Sequence, residues 1–326
     1  MSYRPAGGHH TKGATSEGDL VGTSSSRDTS ETVGGERIVR ANGVDLCVES
    51  FGDPKDFPVL LIGNTMLTWD DELCRRFAAG SRFVVRYDLR DTGRSTTVAP
   101  GEPQYNLRDL VADAAALLDA LDLPRAHVVG FGVGGWIAQL MALDHADRVA
   151  SLTLIATRPT APGPNDSDLP EHSPELMSHL MSAPEPDWSA REAVVDFMVV
   201  GGRQFAGSGE FHEAEVRERA GRIFDRAAVA PRDADPGPVQ RVNQIASTFA
   251  ALDSGERWRQ RLGEISAPTL VIHGEDDPFF PIGNAEALAR EIPGAELFTL
   301  AKTGQELPRR VWDVFLAAVL RHTAAG

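Results

Sequence analysis

Cysteine is nearly absent. Cys47 and Cys74 are the only two in 326 residues. Neither belongs to a C-x-x-C pair and no H-E-x-x-H occurs, so no metal site is signalled. Both lie in apolar-periodic segments and are expected as buried thiols rather than a disulfide. No apolar run approaches the roughly 18 residues of a membrane-spanning helix, and the N-terminus has no apolar signal core. Positive charge is also short: 32 Lys and Arg stand against 47 Asp and Glu, for a net charge of −15. That excludes the basic footprint of a nucleic-acid binder or of a protein drawn to anionic membranes. A soluble cytoplasmic protein with a small-molecule partner is expected.

What is present suits one large α/β domain with an inserted subdomain, since 42% of the chain is hydrophobic. Residues 1–35 are rich in Gly, Ser and Thr, carry His9-His10, and are expected to form a disordered tail. Arg37–Arg40 and Asp45–Glu49 predict two strands around an Asn42-Gly43 turn. Further strands are predicted at Val59–Ile62, Phe83–Tyr87, Ala126–Val129, Leu152–Ile155, Thr269–Ile272 and Ala295–Leu300. Helical spacing marks Asp70–Ala79, Leu107–Leu121, Trp136–Asp144, Pro281–Arg290 and Pro308–His322. This alternation predicts a mostly parallel sheet with helices on both faces. The core is assigned to 36–159 and 264–326. Between them, 160–263 loses the alternation and reads as helices, an inserted helical lid. Ser189-Ala190-Arg191-Glu192 is a capping-box pattern for a helix through Val200, and helices are expected over Glu210–Ala228 and Pro238–Leu252. Gly201-Gly202 and Gly207-Ser208-Gly209 read as flexible joints.

Gly130-Phe131-Gly132-Val133-Gly134-Gly135 joins the Ala126–Val129 strand to the Trp136–Asp144 helix. Strand, sharp glycine turn and helix form the setting of the nucleophile elbow G-x-S-x-G, with Gly132 in place of serine. No G-x-S-x-G occurs elsewhere. The same residues also satisfy the dinucleotide fingerprint G-x-G-x-x-G. Against that, at least four strands precede the turn and no acidic residue ends the next strand. Arg158, just after that strand, keeps an NADP reading open.

Other loops fit the elbow reading. His273-Gly274-Glu275-Asp276-Asp277-Pro278 follows a late strand, where a triad acid belongs. Asp91-Thr92-Gly93-Arg94-Ser95 follows an early one. Ile62-Gly63-Asn64-Thr65 follows the strand that supplies one oxyanion-hole amide, and the Val133 N–H supplies the other. The stretches Arg86–Thr96, Ala126–Gly130, Ala142–His145, Pro268–Ile272 and Asp277-Pro278 together resemble the aclacinomycin methylesterase group of α/β-hydrolases, which tailor anthracycline polyketides. The resemblance runs from about Glu36 to the C-terminus and is weak across the lid. It implies the α/β-hydrolase fold and an aromatic polyketide ligand. It places the catalytic serine on Gly132, the histidine on Gln305 within Gly304-Gln305-Glu306-Leu307-Pro308, and the acid on Asp277.

Glutamine has no titratable nitrogen and glycine no nucleophile, so acyl-enzyme hydrolysis is not expected. The expected function is cofactor-free and non-hydrolytic: holding an anthraquinone-like substrate for cyclisation, C–C bond formation, elimination or rearrangement. The alternatives are a non-catalytic binding protein for the same ligands, and a residual hydrolase or cofactor-free oxygenase working through Asp277. Val133 N–H and Asp277 are the expected acting groups, with Asp277 either accepting from the Gln305 amide or acting directly as a base, and with the floor at Gly132 enlarged. Substrate contacts are expected from Asn64, Thr65, Met66, Trp69, Phe131, Trp136, Asn243 and Gln244. His172, His179 and His212 are further lid candidates.

Overall fold

The computed structural model describes residues 35–97, 105–160, 166–227, 235–250 and 253–324, with residues 245–250 as backbone alone. The expected tail, with His9-His10, lies outside them except for Gly35.

Eight strands form one sheet: β1 (Arg37–Ala41), β2 (Val44–Phe51), β3 (Phe57–Ile62), β4 (Arg82–Tyr87), β5 (Ala126–Phe131), β6 (Val149–Ile155), β7 (Thr269–Gly274) and β8 (Glu296–Leu300). Their order is β1-β2-β4-β3-β5-β6-β7-β8. β2 runs antiparallel to both β1 and β4, and the remaining pairings are parallel. The β1–β2 turn is tight because Asn42 and Gly43 both take positive φ, 44° and 76°. Every residue of β6 and β7 is buried, as expected of central parallel strands covered on both faces.

Helices α1 (Asp71–Ala79), α2 (Leu107–Ala120), α3 (Val133–Asp144), α8 (Gly283–Glu291) and α9 (Trp312–His322) cover the sheet. Asp70 caps α1, and Asn106 with Asp109 closes a capping box on α2. The predicted apolar stripe of α2 is buried at Leu107, Leu110, Val111, Ala114, Leu117 and Leu118. Two apolar clusters result, one on each face of the sheet. Cys47 and Cys74 are free and buried, and burial pushes both thiols up to about 12.

Between β6 and β7 come α4 (Pro174–Ser182), α5 (Arg191–Phe205), α6 (Glu213–Arg226) and α7 (Gly237–Ala250). Three local expectations need correction. Ser189 does not cap α5; its N–H and hydroxyl both donate to Asp187 Oδ1, and Ala190 occupies the cap position without a side-chain bond. Gly201-Gly202 is not a joint, because α5 runs through it. A Cβ on Gly202 would sit 3.2 Å from Val216, so a small residue lets α5 and α6 pack closely. Gly207-Ser208-Gly209 is pinned rather than loose, as the site geometry shows.

Ion pairs tie this insertion to the core, the Arg226–Asp88 pair among them buried. Arg226 at the end of α6 donates to Asp88 at 2.9 Å and to Glu36 at 2.7 Å. Arg222 joins Asp71, which also accepts from buried Arg86.

His127 on β5 predicts a pH dependence of stability. It is 1% exposed, with Nδ1 2.8 Å from Ser151 Oγ. Burial, aided by nearby Arg82, lowers its pKa from 6.5 to about 4. Below pH 6.5 the unfolded chain takes up a proton that the native state refuses. Stability is therefore expected to fall as pH drops from about 6.5 to about 4, by up to about 3 kcal/mol from this group, and to level below that. Urea midpoints at pH 7, 5 and 4 should show a smaller fall in His127→Gln than in the natural chain. Equal falls would remove His127 as the cause.

Candidate functional site

The strand-to-helix turn after β5 is the focus of the site. Gly132 has φ 57° and ψ −116°, a conformation that side chains strain to adopt, and it caps α3 without a side-chain bond. Its backbone is fixed from three sides. Its N–H donates to Ile155 O at 3.0 Å, and its carbonyl accepts from Gly135 N and Thr157 Oγ1, each at 2.9 Å. The Val133 N–H, at the start of α3, has no preceding helical carbonyl to bond and lies at the positive end of the helix dipole.

The neighbouring glycines answer to packing. A Cβ on Gly130 would overlap the Gly134 carbonyl, one on Gly134 would overlap Ile62 O, and one on Gly135 would meet Thr157 at 2.6 Å. Close packing of β5 on α3 accounts for Gly130, the contact of α3 with Thr157 for Gly135, and positive φ for Gly132, without a dinucleotide. A Cβ on Gly132, in contrast, would meet only Gln305 Nε2, at 3.5 Å.

Gln305 therefore reaches over the turn. Its amide donates to Ala156 O at 2.8 Å, and its Oε1 is buried without a partner. The expected bond from Gln305 to Asp277 is replaced by this one, which pairs the amide with a backbone carbonyl. Ala156 is itself strained at φ 47° and anchored by its N–H to Ile272 O. The floor at Gly132 is correspondingly not an open void, because the glutamine amide lies above it.

Asp277 is 3% exposed and half committed. Its Oδ1 accepts from the N–H groups of Phe279 and Phe280, both at 2.8 Å. Its Oδ2 is buried without a hydrogen bond, although His273 Nε2 lies 3.3 Å away. That nitrogen is better placed on Phe280 O, at 2.6 Å, so the ring holds the loop rather than the free carboxylate oxygen.

The Gly207-Ser208-Gly209 segment is stitched to these same loops. Ser208 N and Oγ both donate to Asp276 Oδ2, at 2.9 and 2.5 Å. Gly209 N donates to Lys302 O, and Gln305 N donates to Phe205 O at 2.8 Å. A Cβ on Gly207 would meet Thr303 at 2.6 Å, which lets the two backbones cross. The insertion thus fixes the backbone from which Gln305 projects.

The aromatics that gather here are mostly not those expected. Trp136 is 3% exposed and belongs to the core, its ring 6.0 Å from Phe280. Phe131 packs against the opposite core cluster. Sequence reasoning missed Phe279, Phe280 and Phe205. Phe279 and Phe280 lie 4.4 Å apart, His172 stacks on Phe279 at 4.6 Å, and Phe205 meets Phe279 edge-on at 5.6 Å. The signal was available, since the Phe-Phe pair stands two residues beyond Asp277.

The other expected contacts divide. Asn64 is exposed and Thr65 half-buried beside the turn, with the Thr65 hydroxyl accepting from Leu67 N. Met66 and Trp69 are fully buried, so both are corrected to core. Met66 N donates to Asp88, and Trp69 packs beneath the sheet. Asn243 is 3% exposed and donates back to Val239 O of its own helix. Gln244 is half-buried with an unpartnered Nε2. His212 is partly exposed near Glu210. Among the described residues no cluster of potential metal ligands is found, and no helix is long and apolar enough to cross a membrane.

This arrangement invites comparison with known proteins. The profile of the alpha/beta hydrolase fold matches residues 69–307. Rhodomycin D methylesterase DauP of Streptomyces sp. (strain C5) is 33% identical over 312 residues, 89% of this chain and 98% of that one. Rhodomycin D methylesterase DnrP of Streptomyces peucetius is 33% identical over 315 residues, with the same coverage of each. The meta-cleavage product hydrolase CumD of Pseudomonas fluorescens IP01 superposes with a TM-score of 0.66 at 18% identity, covering 88% of this chain and 97% of that chain, a likeness of fold. With its strand order, its glycine turn after β5 and these matches taken together, the chain belongs to the alpha/beta hydrolase fold family.

Proposed function

We propose that this chain is a cofactor-free, non-hydrolytic enzyme of aromatic polyketide tailoring. It holds a flat polycyclic substrate, of the class its rhodomycin D methylesterase relatives are named for, at the Gly132 turn. Cyclisation, C–C bond formation, elimination or rearrangement are the reactions that suit such a site, because a reactive substrate needs only a polarised carbonyl and the exclusion of water. One observation carries this reading. Where a nucleophile's side chain would begin there is only Gly132, and the group above it is the Gln305 amide. Gly132 and Gln305 then stand in the places of a serine and a histidine. The Val133 N–H is the oxyanion donor, with the Asn64–Thr65 loop beside it, and Asp277 Oδ2 is a buried carboxylate oxygen without a hydrogen bond.

A second reading, a binding protein without chemistry, is favoured by the commitment of the polar groups. The Gln305 amide goes to Ala156, and Asp277 Oδ1 goes to two backbone amides. Both readings predict the same negative result. Purified protein should release no methanol from an aromatic polyketide methyl ester, and no serine should react with a fluorophosphonate. Anthraquinones should raise the melting temperature by mass action, while nicotinamide cofactors should not. Stoichiometric serine labelling or sustained methanol release would sink both. Conversion of a polyketide intermediate, followed by mass and absorbance, separates enzyme from binder.

A further inference from the structure

Among the described residues no ion pair is found for Arg158, which stands where the proposed ligand would lie. The loop after β6 supplies three consecutive residues to the site. Ala156 O takes the Gln305 amide, Thr157 Oγ1 holds the Gly132 carbonyl, and Arg158 follows. The Arg158 carbonyl is fixed by the Gln139 amide of α3 at 3.0 Å. Its side chain extends over the aromatic cluster, with the guanidinium 5.9 Å from the Phe280 ring. That ring is 3% exposed and belongs to the residue whose N–H binds Asp277. Gln139 is in turn held by the Trp258 indole at 2.9 Å, so the anchor is rigid.

The charges around Arg158 leave it unmatched. Its Nε is buried and makes no hydrogen bond. The nearby carboxylate of Asp166 is occupied by Arg257 at 2.5 Å and Arg259 at 3.2 Å. Burial pushes the guanidinium below its ordinary arginine pKa, an effect that Asp166 and Glu171 do not overcome and that Arg257 and Arg259 reinforce. Arginine stays protonated even so. A half-buried cation without a partner costs stability, and enzymes carry that cost where a ligand relieves it. A guanidinium fork beside flat rings matches a carboxylate borne on an aromatic system, through two parallel hydrogen bonds and ring stacking.

We propose that Arg158 binds the carboxylate of a planar aromatic acid lying against the half-buried Phe279 and His172 rings beside the Gly132 turn. The inference rests on the reading of that turn as an aromatic-ligand site, and adds that the ligand is the free acid rather than its ester. A reaction that consumes the acid must be supplied by one that unmasks it, such as ester hydrolysis.

The test compares anthraquinone-2-carboxylate, its methyl ester and NADPH by calorimetry against the natural chain, Arg158→Gln and Arg158→Lys. The acid should bind the natural chain about tenfold or more tighter than the ester. Arg158→Gln should erase that preference while leaving the ester's affinity unchanged, and Arg158→Lys should restore part of it. Equal affinity for acid and ester in the natural chain overturns the inference and leaves the aromatic site standing, even if Arg158→Gln does not fold. Binding of neither compound overturns both. NADPH binding that disappears in Arg158→Gln would assign the cation to a phosphate and overturn the carboxylate.

Discussion

Gly132→Ser combined with Gln305→His is expected to confer aryl-ester hydrolysis that neither substitution confers alone. The turn has room for the serine, since a Cβ there meets only the Gln305 amide, at 3.5 Å. Its backbone costs about 1–3 kcal/mol of strain in a residue other than glycine. The bonds from Thr157, Gly135 and Ile155 hold that backbone in place. The base has room as well. Position 305 is fixed by its N–H on Phe205 O, so an imidazole there projects over the turn as the glutamine now does. Asp277 Oδ2, buried and without a hydrogen bond, is then available to orient the ring. Nucleophile and base act as a unit, and their effects are far from additive. The double variant should therefore hydrolyse p-nitrophenyl acetate at least about 10²-fold faster than either single variant, and react with a fluorophosphonate at Ser in position 132. A double variant that folds but neither hydrolyses nor labels would show that positions 132, 305 and 277 do not form a triad, and the proposed places of Gly132 and Gln305 would fall with it.

The sheet was largely legible because its signals are local. Four-residue apolar runs such as Val59–Ile62 and the Asn42-Gly43 turn each carry their own period or dihedral demand. The helices of the insertion were legible in outline, and their joints were not. Gly201-Gly202 reads as a break in sequence, yet packing of α5 against α6 overrides propensity and keeps it helical. Gly207-Ser208-Gly209 reads as a hinge, yet Asp276 and Lys302, far along the chain, bind it. In the site, Gly132 was marked by its place between strand and helix and Asp277 by its loop after a strand, while Gln305 came from the family resemblance alone; the structure sets the Gln305 amide 3.5 Å from where a Gly132 Cβ would lie. The direction of each side chain could not be read. Whether the Gln305 amide turns to Asp277 or Ala156 depends on the carbonyl of a residue 149 positions away in the sequence. Trp69 and Trp136 looked like ligand aromatics because they stand beside the loop residues, and helix and turn geometry instead point both into the core.

Asp277→Asn is the substitution that separates catalyst from scaffold at this site. The asparagine Oδ1 can keep both bonds from the Phe279 and Phe280 amides, so the loop and the aromatic cluster should survive. What changes is Oδ2, the uncommitted oxygen, which becomes an NH2 group that can neither accept a proton nor orient a cationic partner. If Asp277 takes a proton from the substrate, turnover of the polyketide should fall by about 10²–10⁴-fold with the melting temperature and anthraquinone affinity nearly unchanged. Gln305→Ala should lose less, since the amide's one bond goes to Ala156 O and the group only shapes the space above the turn. Gly132→Leu should lose binding and turnover together, because its side chain needs the space the Gln305 amide now fills and its backbone needs φ near 57°. Near-natural turnover in both Asp277→Asn and Gly132→Leu would move the chemistry away from the turn. The half-buried polar groups of the insertion, His172 on Phe279 and Gln244 with its unpartnered amide, would then be the groups to replace next.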